Sequence, residues 1–376
     1  MRLDLRRFSA LVERARALPA GPARAWILRG LTAQAALAGV ASVGRRLDNV
    51  VAPAWRAVPI REPVFVVGHP RSGTTRLHRL LALDPRFTAI RAWEALLPSV
   101  CVQRAVRRGV AADARWLRGG LLKRVRALEG RLLAPLAGAH PTALDAPEED
   151  ELLRLRHFDA PWYAVTALGA PDAFAGRWSL DPLPDRDAAL ADYIGSVRRH
   201  LLLQPRTWLS KNPHHLGGLR TLGEAFPDGW FIQAVRDPED AIASQLSLYR
   251  AAWQRVDPAR DVRPWLEAMF EVCCALYRDG FAGWEALPPG RRVIVRYADL
   301  GADPSAATRA VYDQLGWVMP AGMQARLAAE PAFDGPRRAP SLRQLGIPPS
   351  RLAERLGDLD PLWRALNRRP PRGRGG

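Results

Sequence analysis

Residues 63–80 read Pro-Val-Phe-Val-Val-Gly-His-Pro-Arg-Ser-Gly-Thr-Thr-Arg-Leu-His-Arg-Leu. Val64–Gly68 is short, apolar and β-branched, the pattern of a strand buried on both faces in a parallel sheet. A glycine-bracketed loop follows at once, and then a helix that runs to about Leu83 and stops at Asp84-Pro85. Strand, tight loop and helix in that order aim unpaired backbone N–H groups and a positive helix end at one point, a socket for a phosphate. The spacing Gly68-x-x-x-x-Gly73 followed by Thr74-Thr75 overlays the nucleotide-binding P-loop. Thr74 stands where that loop has the lysine that reaches the terminal phosphates, and Arg71 supplies a cation three residues earlier. The loop suits a phosphate, but not ATP.

Outward from this stretch, the strand–helix rhythm recurs. Thr207–Ser210, Trp230–Val235 and Arg292–Tyr297 read as strands. His214–Phe226, Pro238–Tyr249 and a segment opening at Asp303-Pro304 read as helices, the second with Asp237 as N-cap and proline at its first position. Between the first strand and this region lie helical stretches at Ala92–Arg108, Arg115–Leu133, Glu148–His157 and Asp187–Leu203; a further one spans Pro264–Glu285. The expected fold is α/β, a P-loop-like parallel sheet flanked by helices. Residues 1–60 form an N-terminal helical extension, 61–335 the α/β domain with a helical insertion at about 95–203, and 336–376 a C-terminal segment. The tail Asn367–Gly376 is Arg/Pro/Gly low complexity and is expected to be disordered.

Composition sets limits on function. The net charge is +17 and the pI near 11.1, a field that favours anionic partners. Lys123 and Lys211 are the only lysines, so nearly every cation is arginine, spread along the chain as in an arginine-biased genome. Cys101, Cys273 and Cys274 have no ligand spacing and cannot all pair within the chain, which points to a reducing compartment and away from structural zinc. Ala25–Gly44 is apolar but interrupted by Arg29, so a packed helix is expected, with no integral membrane span and a cytoplasmic location.

Four constellations fall at the carboxyl ends of expected strands, where open parallel sheets bind ligands. The first is the loop with Arg71, Ser72, Gly73, Thr74 and Thr75. In the second, Arg236-Asp237-Pro238 is followed by Ser244 two helical turns beyond the cap, so arginine and serine can hold one more phosphate by charge-assisted hydrogen bonds. The third, Trp208-Leu209-Ser210-Lys211-Asn212-Pro213-His214-His215, sets one of two lysines just past a strand. The fourth is Trp93-Glu94, a carboxylate returning toward the loop as a possible general base, although a glutamate at a helix start is also favoured by the dipole. Pro147-Glu148-Glu149-Asp150-Glu151 reads as a helix start with a solvated acidic face and stays outside the site.

Together these strings resemble the sulfotransferases that use 3′-phosphoadenosine 5′-phosphosulfate (PAPS), in particular the bacterial branch similar to tyrosylprotein sulfotransferases. Val295-Arg296-Tyr297-Ala298-Asp299-Leu300 followed by Asp303-Pro304 adds to the match, which covers roughly residues 60–320. The resemblance implies PAPS as co-substrate and no metal, with Arg71 and Ser72–Thr75 on the 5′-phosphosulfate. It further implies Arg236 and Ser244 on the 3′-phosphate, Tyr297 near the adenine, Lys211 on the sulfate, and Glu94 as catalytic base in preference to His214 or His215. Arg337, Arg338 and Arg343 are candidates for a further phosphate contact. The implied acceptor is a hydroxyl, or an amine, on a small molecule, glycan or lipid, with the segment Leu96–His157 shaping its pocket; nucleic acid is not an expected partner. Two rivals remain at this point. One is a P-loop ATP-dependent kinase, with Asp237 on the magnesium strand, and the other a non-catalytic basic protein that binds nucleic acid or membrane.

Overall fold

The computed structural model describes residues 4–133, 143–165, 180–181, 183–330 and 340–359; Arg337, Arg338 and Asn367–Gly376 lie outside them. Five strands form one parallel sheet: β1 (Val64–Val67), β2 (Phe87–Thr88), β3 (Thr207–Lys211), β4 (Trp230–Val235) and β5 (Arg292–Arg296), in the order β2-β3-β1-β4-β5. Alternation along β1 explains the layering. Val64 and Val66 face one core with Leu77, Leu80 and Leu81 of the Thr74–Leu81 helix and Val311 and Leu315 of the Pro304–Leu315 helix. Phe65 and Val67 face the other, with Leu219 and Leu222 of the Leu219–Ala225 helix and Leu276 and Trp284 of the Arg263–Glu285 helix. All four β1 residues are buried, as a central parallel strand requires.

The amino-terminal helices Leu5–Ala17 and Pro22–Val51 are not an appendage. Leu11, Ala15, Ile27 and Leu31 join a core with Ile242, Leu246, Phe270 and Tyr277 from the helices after β4. The Pro22–Val51 helix has the length and hydropathy of a membrane span. Its second half, however, carries the buried Asp48, whose carboxylate accepts from Arg199 Nε at 2.9 Å, Val100 N at 3.0 Å and Cys101 N at 2.9 Å.

Several boundaries differ from expectation, each for a local reason. The helix expected over Ala92–Arg108 is two, Ala92–Leu96 and Val100–Trp116, separated at Pro98. Gly119 and Gly120 divide the next stretch, with Gly119 at φ +75°. Residues Asp150–His157 form a 3₁₀ turn rather than an α-helix, and His214–Phe226 is a 3₁₀ turn at Pro213–Gly218 followed by Leu219–Ala225. After β5 the chain turns directly into a short helix, Tyr297–Ala302.

The close approach of β1 and β4 sets one strict requirement. Gly68 has φ +147°, and a Cβ there would lie 2.3 Å from the carbonyl oxygen of Ala234. Gly68→Ala therefore destabilises the fold by roughly 2–4 kcal/mol. Gly39→Ala, in open helix with nothing within 4 Å, stabilises it by about 0.5–1 kcal/mol. Denaturant midpoints of the two variants check this, and equal losses would contradict it.

Candidate active site

Parallel pairing brings the ends of β3, β1, β4 and β5 side by side, with Val66 opposite Lys211, Val67 opposite Gln233 and Val235 opposite Arg296. The loops that follow these strands carry the chemistry. After β1, the backbone turns through Arg71 at φ +73° and Gly73 at φ +90°. The Ser72 N–H donates to the His69 carbonyl at 3.1 Å, closing the loop. Gly73 is the N-cap of the Thr74–Leu81 helix, and no side chain caps it, so the first-turn N–H groups point toward the loop. Ser72 and Thr74 are buried in the turn. A Cβ on Gly73 would lie 3.0 Å from the Tyr297 ring, which closes that side.

His69 underpins the loop. Its ring stacks on Tyr277 at 4.4 Å, and Nδ1 lies 2.7 Å from the Pro70 carbonyl. Burial lowers its pKa to about 3, so the ring is neutral and Nδ1 carries the proton it donates.

The grip after β4 meets the loop after β1. Arg236 Nη1 donates to the Arg71 carbonyl at 3.1 Å, and Arg71 Nε donates to Ser244 Oγ at 3.1 Å. The Arg236 guanidinium lies 4.6 Å from the centroid of the Tyr297 ring, a cation–π contact that fixes its plane. Its Nε is buried without a partner among the described residues, and its Nη2 lies 3.7 Å from the Asp240 carboxylate, so one donor is open at a site framed by arginine and serine. Asp237 is committed elsewhere: its Oδ1 accepts from Glu239 N at 2.9 Å and Asp240 N at 3.3 Å.

Lys211 sits buried at the end of β3. Its Nζ donates to Thr75 Oγ1 at 3.2 Å and to Glu149 Oε1 at 2.5 Å. The acidic string is thus no solvated face. Glu148 N donates to the Ile90 carbonyl at 2.8 Å, which lays the string along the chain beyond β2. Glu148, Asp150 and Glu151 are buried. Asp150 Oδ2 accepts from Ser210 Oγ and Tyr193 OH, each at 2.6 Å, and His214 Nε2 lies 3.2 Å from Glu151 Oε2. Burial pushes the Glu151 carboxyl up and takes His214 down to about 4, so neither charged form is favoured there. Four acids in so basic a chain were the only sequence signal; their meeting with Lys211 depends on a contact 62 residues apart.

Glu94, expected as the base, has a different setting. Its Oε2 accepts from Arg91 N at 3.1 Å, and its Oε1 from Arg107 Nη2 at 2.9 Å and Gln204 Nε2 at 3.1 Å. Gln204 precedes β3, whereas Lys211 ends it. Thr207 and Lys211 alone are separated by roughly 13 Å at the rise of a parallel strand. Glu94 instead lines a cavity of about 750 Å³ whose walls include Trp93, Leu97, Val106 and Leu122. Arg343 is exposed in the turn Arg343–Leu345.

A family model described as Sulfotransferase family matches residues 63–321. The chain belongs to the Sulfotransferase family. Among curated proteins, the omega-hydroxy-beta-dihydromenaquinone-9 sulfotransferases Stf3 of Mycobacterium bovis and Mycobacterium tuberculosis are each 27% identical over 258 residues, 68% of this chain. The match spans 62% of their length. Among solved structures, sulfotransferase STF9 from Mycobacterium avium superposes with a TM-score of 0.72 at 19% identity, covering 96% of this chain and 97% of that one. Sulfotransferase STF1 from Mycobacterium tuberculosis H37Rv gives 0.70 at 20% identity, covering 94% and 92%. At these identities the likeness is one of fold, and it confirms the expected α/β architecture with its parallel sheet.

The buried carboxyls have a thermodynamic signature. Burial pushes Asp150 up to about 7, with the hydrogen bonds from Ser210 and Tyr193 only partly offsetting it. A folded pKa above the unfolded one means that protonation favours the folded state. The contribution is full below about pH 4 and is lost as pH rises through about 7. Asp150→Asn keeps an acceptor and cannot ionise, so the stability of wild type relative to the variant should fall across that window. Denaturation of both at stepped pH reads it, and a pH-independent difference would contradict the assignment.

Proposed function

We propose that this sulfotransferase takes a sulfuryl group from PAPS and places it on a hydroxyl of a lipid-like acceptor. The observation that carries the reading is the contact between the two grips. Arg236, with its Nε open, bonds the backbone of Arg71, which in turn bonds Ser244. Such proximity suits one nucleoside bisphosphate bridging both, with the 3′-phosphate on Arg236 and Ser244 and the 5′-phosphosulfate on Arg71, Ser72, Gly73, Thr74 and Thr75. Tyr297, held against Gly73 and Arg236, is the platform for the adenine. The donor supplies an activated sulfuryl group, and its transfer builds negative charge on the departing phosphate.

Lys211 and Arg71 provide the fixed positive charge for that change, through positions set before reaction. For the base we favour Glu149 over Glu94. Glu149 lies against Lys211, where an acceptor hydroxyl must shed its proton, while the Glu94 oxygens serve Arg91, Arg107 and Gln204. A lipid-like acceptor is supported by the apolar cavity in the helical insertion and by what the named mycobacterial relatives act on. A cytoplasmic location fits the three free thiols.

Against the kinase reading stand Thr74 in place of lysine and an Asp237 already engaged as a helix cap. Calorimetry with adenosine 3′,5′-bisphosphate, without metal, separates the two. Tight binding that Arg236→Ala weakens about a hundredfold supports the sulfotransfer reading with PAPS; preference for Mg-ATP would contradict it.

Turnover tests the roles. Lys211→Ala lowers kcat roughly a hundred- to a thousandfold, and Glu149→Gln at least about a hundredfold. Both leave bisphosphate affinity little changed. Glu94→Gln lowers stability but retains kcat per folded molecule. The reverse pattern for the two glutamates would return the base to Glu94.

A further inference from the structure

Helices Val100–Trp116 and Gly120–Leu133 make a hairpin; Leu121, Leu122 and Val125 line the cavity assigned above to the acceptor, and the function proposed above makes no use of the hairpin's tip. Its base is fixed by the bonds from Val100 N and Cys101 N to Asp48. Its turn is built by Asp113, which accepts from Leu121 N at 2.9 Å and Leu122 N at 3.0 Å, while the Gly119 N–H donates to the Asp113 carbonyl at 3.1 Å. The tip is therefore ordered, and it is apolar. Trp116 is 73% and Leu117 61% exposed. Leu121, Val125 and Leu128 continue the apolar row at spacings of four and three, which is one helix face, and the first two carry it into the cavity assigned to the acceptor.

Charge is equally one-sided. Residues 100–133 hold nine arginines and lysines against two acids, Asp113, buried in the turn, and Glu129, half-buried and accepting from Leu144 N. The whole chain has 55 cations and 38 acids, so the hairpin departs from the chain's own composition. Arg104, Arg108, Arg115, Arg118, Lys123 and Arg124 are all exposed, and the Arg115 guanidinium lies 5.0 Å from the Trp116 ring centroid.

We propose that this hairpin is a peripheral membrane dock, with Trp116 and Leu117 seated at the headgroup level of an anionic bilayer and the cations around them paired with lipid phosphates. An indole ring at the tip suits the interface, where one edge is apolar and the other wet. An apolar row bordered by cations and free of exposed acids matches a helix that lies on a membrane rather than across it. Nucleic acid would account for the cations but leave Trp116, Leu117 and Leu128 in water. The proposal stands on the hairpin's tip and its exposed cations and does not depend on the donor.

Vesicle flotation of the full-length protein tests it, with phosphatidylcholine vesicles alone and with phosphatidylcholine–phosphatidylglycerol vesicles, at low and high salt. The protein should float with the anionic vesicles, more weakly as salt rises. The double variant W116S/L117S should lower the partition coefficient about tenfold or more. The double variant R115Q/R118Q should reduce the preference for anionic lipid, and V318S, at an exposed valine elsewhere, should change nothing. Bisphosphate binding by each variant verifies its fold. The proposal is overturned if wild type does not float or if W116S/L117S floats as well as wild type. It is equally overturned if an RNA homopolymer strips wild type and W116S/L117S from vesicles alike.

Discussion

Two neighbouring strands run parallel and so close that Gly68 lies against the Ala234 carbonyl, and the rest of the site follows from that approach. Because β1 and β4 end together, the loops after them must share a mouth. Arg236 then reaches the Arg71 carbonyl, and Arg71 reaches Ser244. Arg71 adjoins a helix start with no side-chain cap, so its charge and the first-turn backbone donors lie in one place. An anion with two charged ends fits this arrangement better than any neutral ligand. The Tyr297 ring lies against both Gly73 and Arg236 and borders the two grips where they meet.

Opposite this positive mouth lies a buried acidic string. Glu148, Glu149, Asp150 and Glu151 leave the edge of the sheet and pass in front of Lys211, His214 and Ser210. Burying carboxyls costs free energy unless they are bonded or protonated. Here Asp150 takes two hydroxyl donors, and Glu149 takes the lysine. Glu149 thus touches the cation at the end of β3, whereas Glu94 accepts from Arg91, Arg107 and Gln204.

Much of the fold was legible because its signals are local. β1 and β5 announce themselves as short runs rich in valine and isoleucine, β4 as an apolar run, and Asp237-Pro238 and Asp303-Pro304 open helices by capping rules that act within four residues. The loop at Gly68–Thr75 could be read because its spacing alone dictates where the backbone donors go. The role of the acidic string could not be read, because it depends on the pairing of Glu148 with Ile90 and on Lys211 being buried, both long-range events. The surroundings of Glu94 were hidden for the same reason: a glutamate at a helix start has a good local explanation, and its bond to Gln204 spans 110 residues. The splitting of the insertion helices at Pro98 and Gly119 was visible as residue types but not as geometry.

The most direct measurement is a crystal structure of the protein with adenosine 3′,5′-bisphosphate bound. One nucleotide should lie with its 3′-phosphate within hydrogen-bond distance of Arg236 and Ser244, its 5′-phosphate on the backbone N–H groups of Gly73–Thr75, and its base against Tyr297. A nucleotide bound elsewhere, or one whose 3′-phosphate leaves Arg236 and Ser244 empty, would contradict the account.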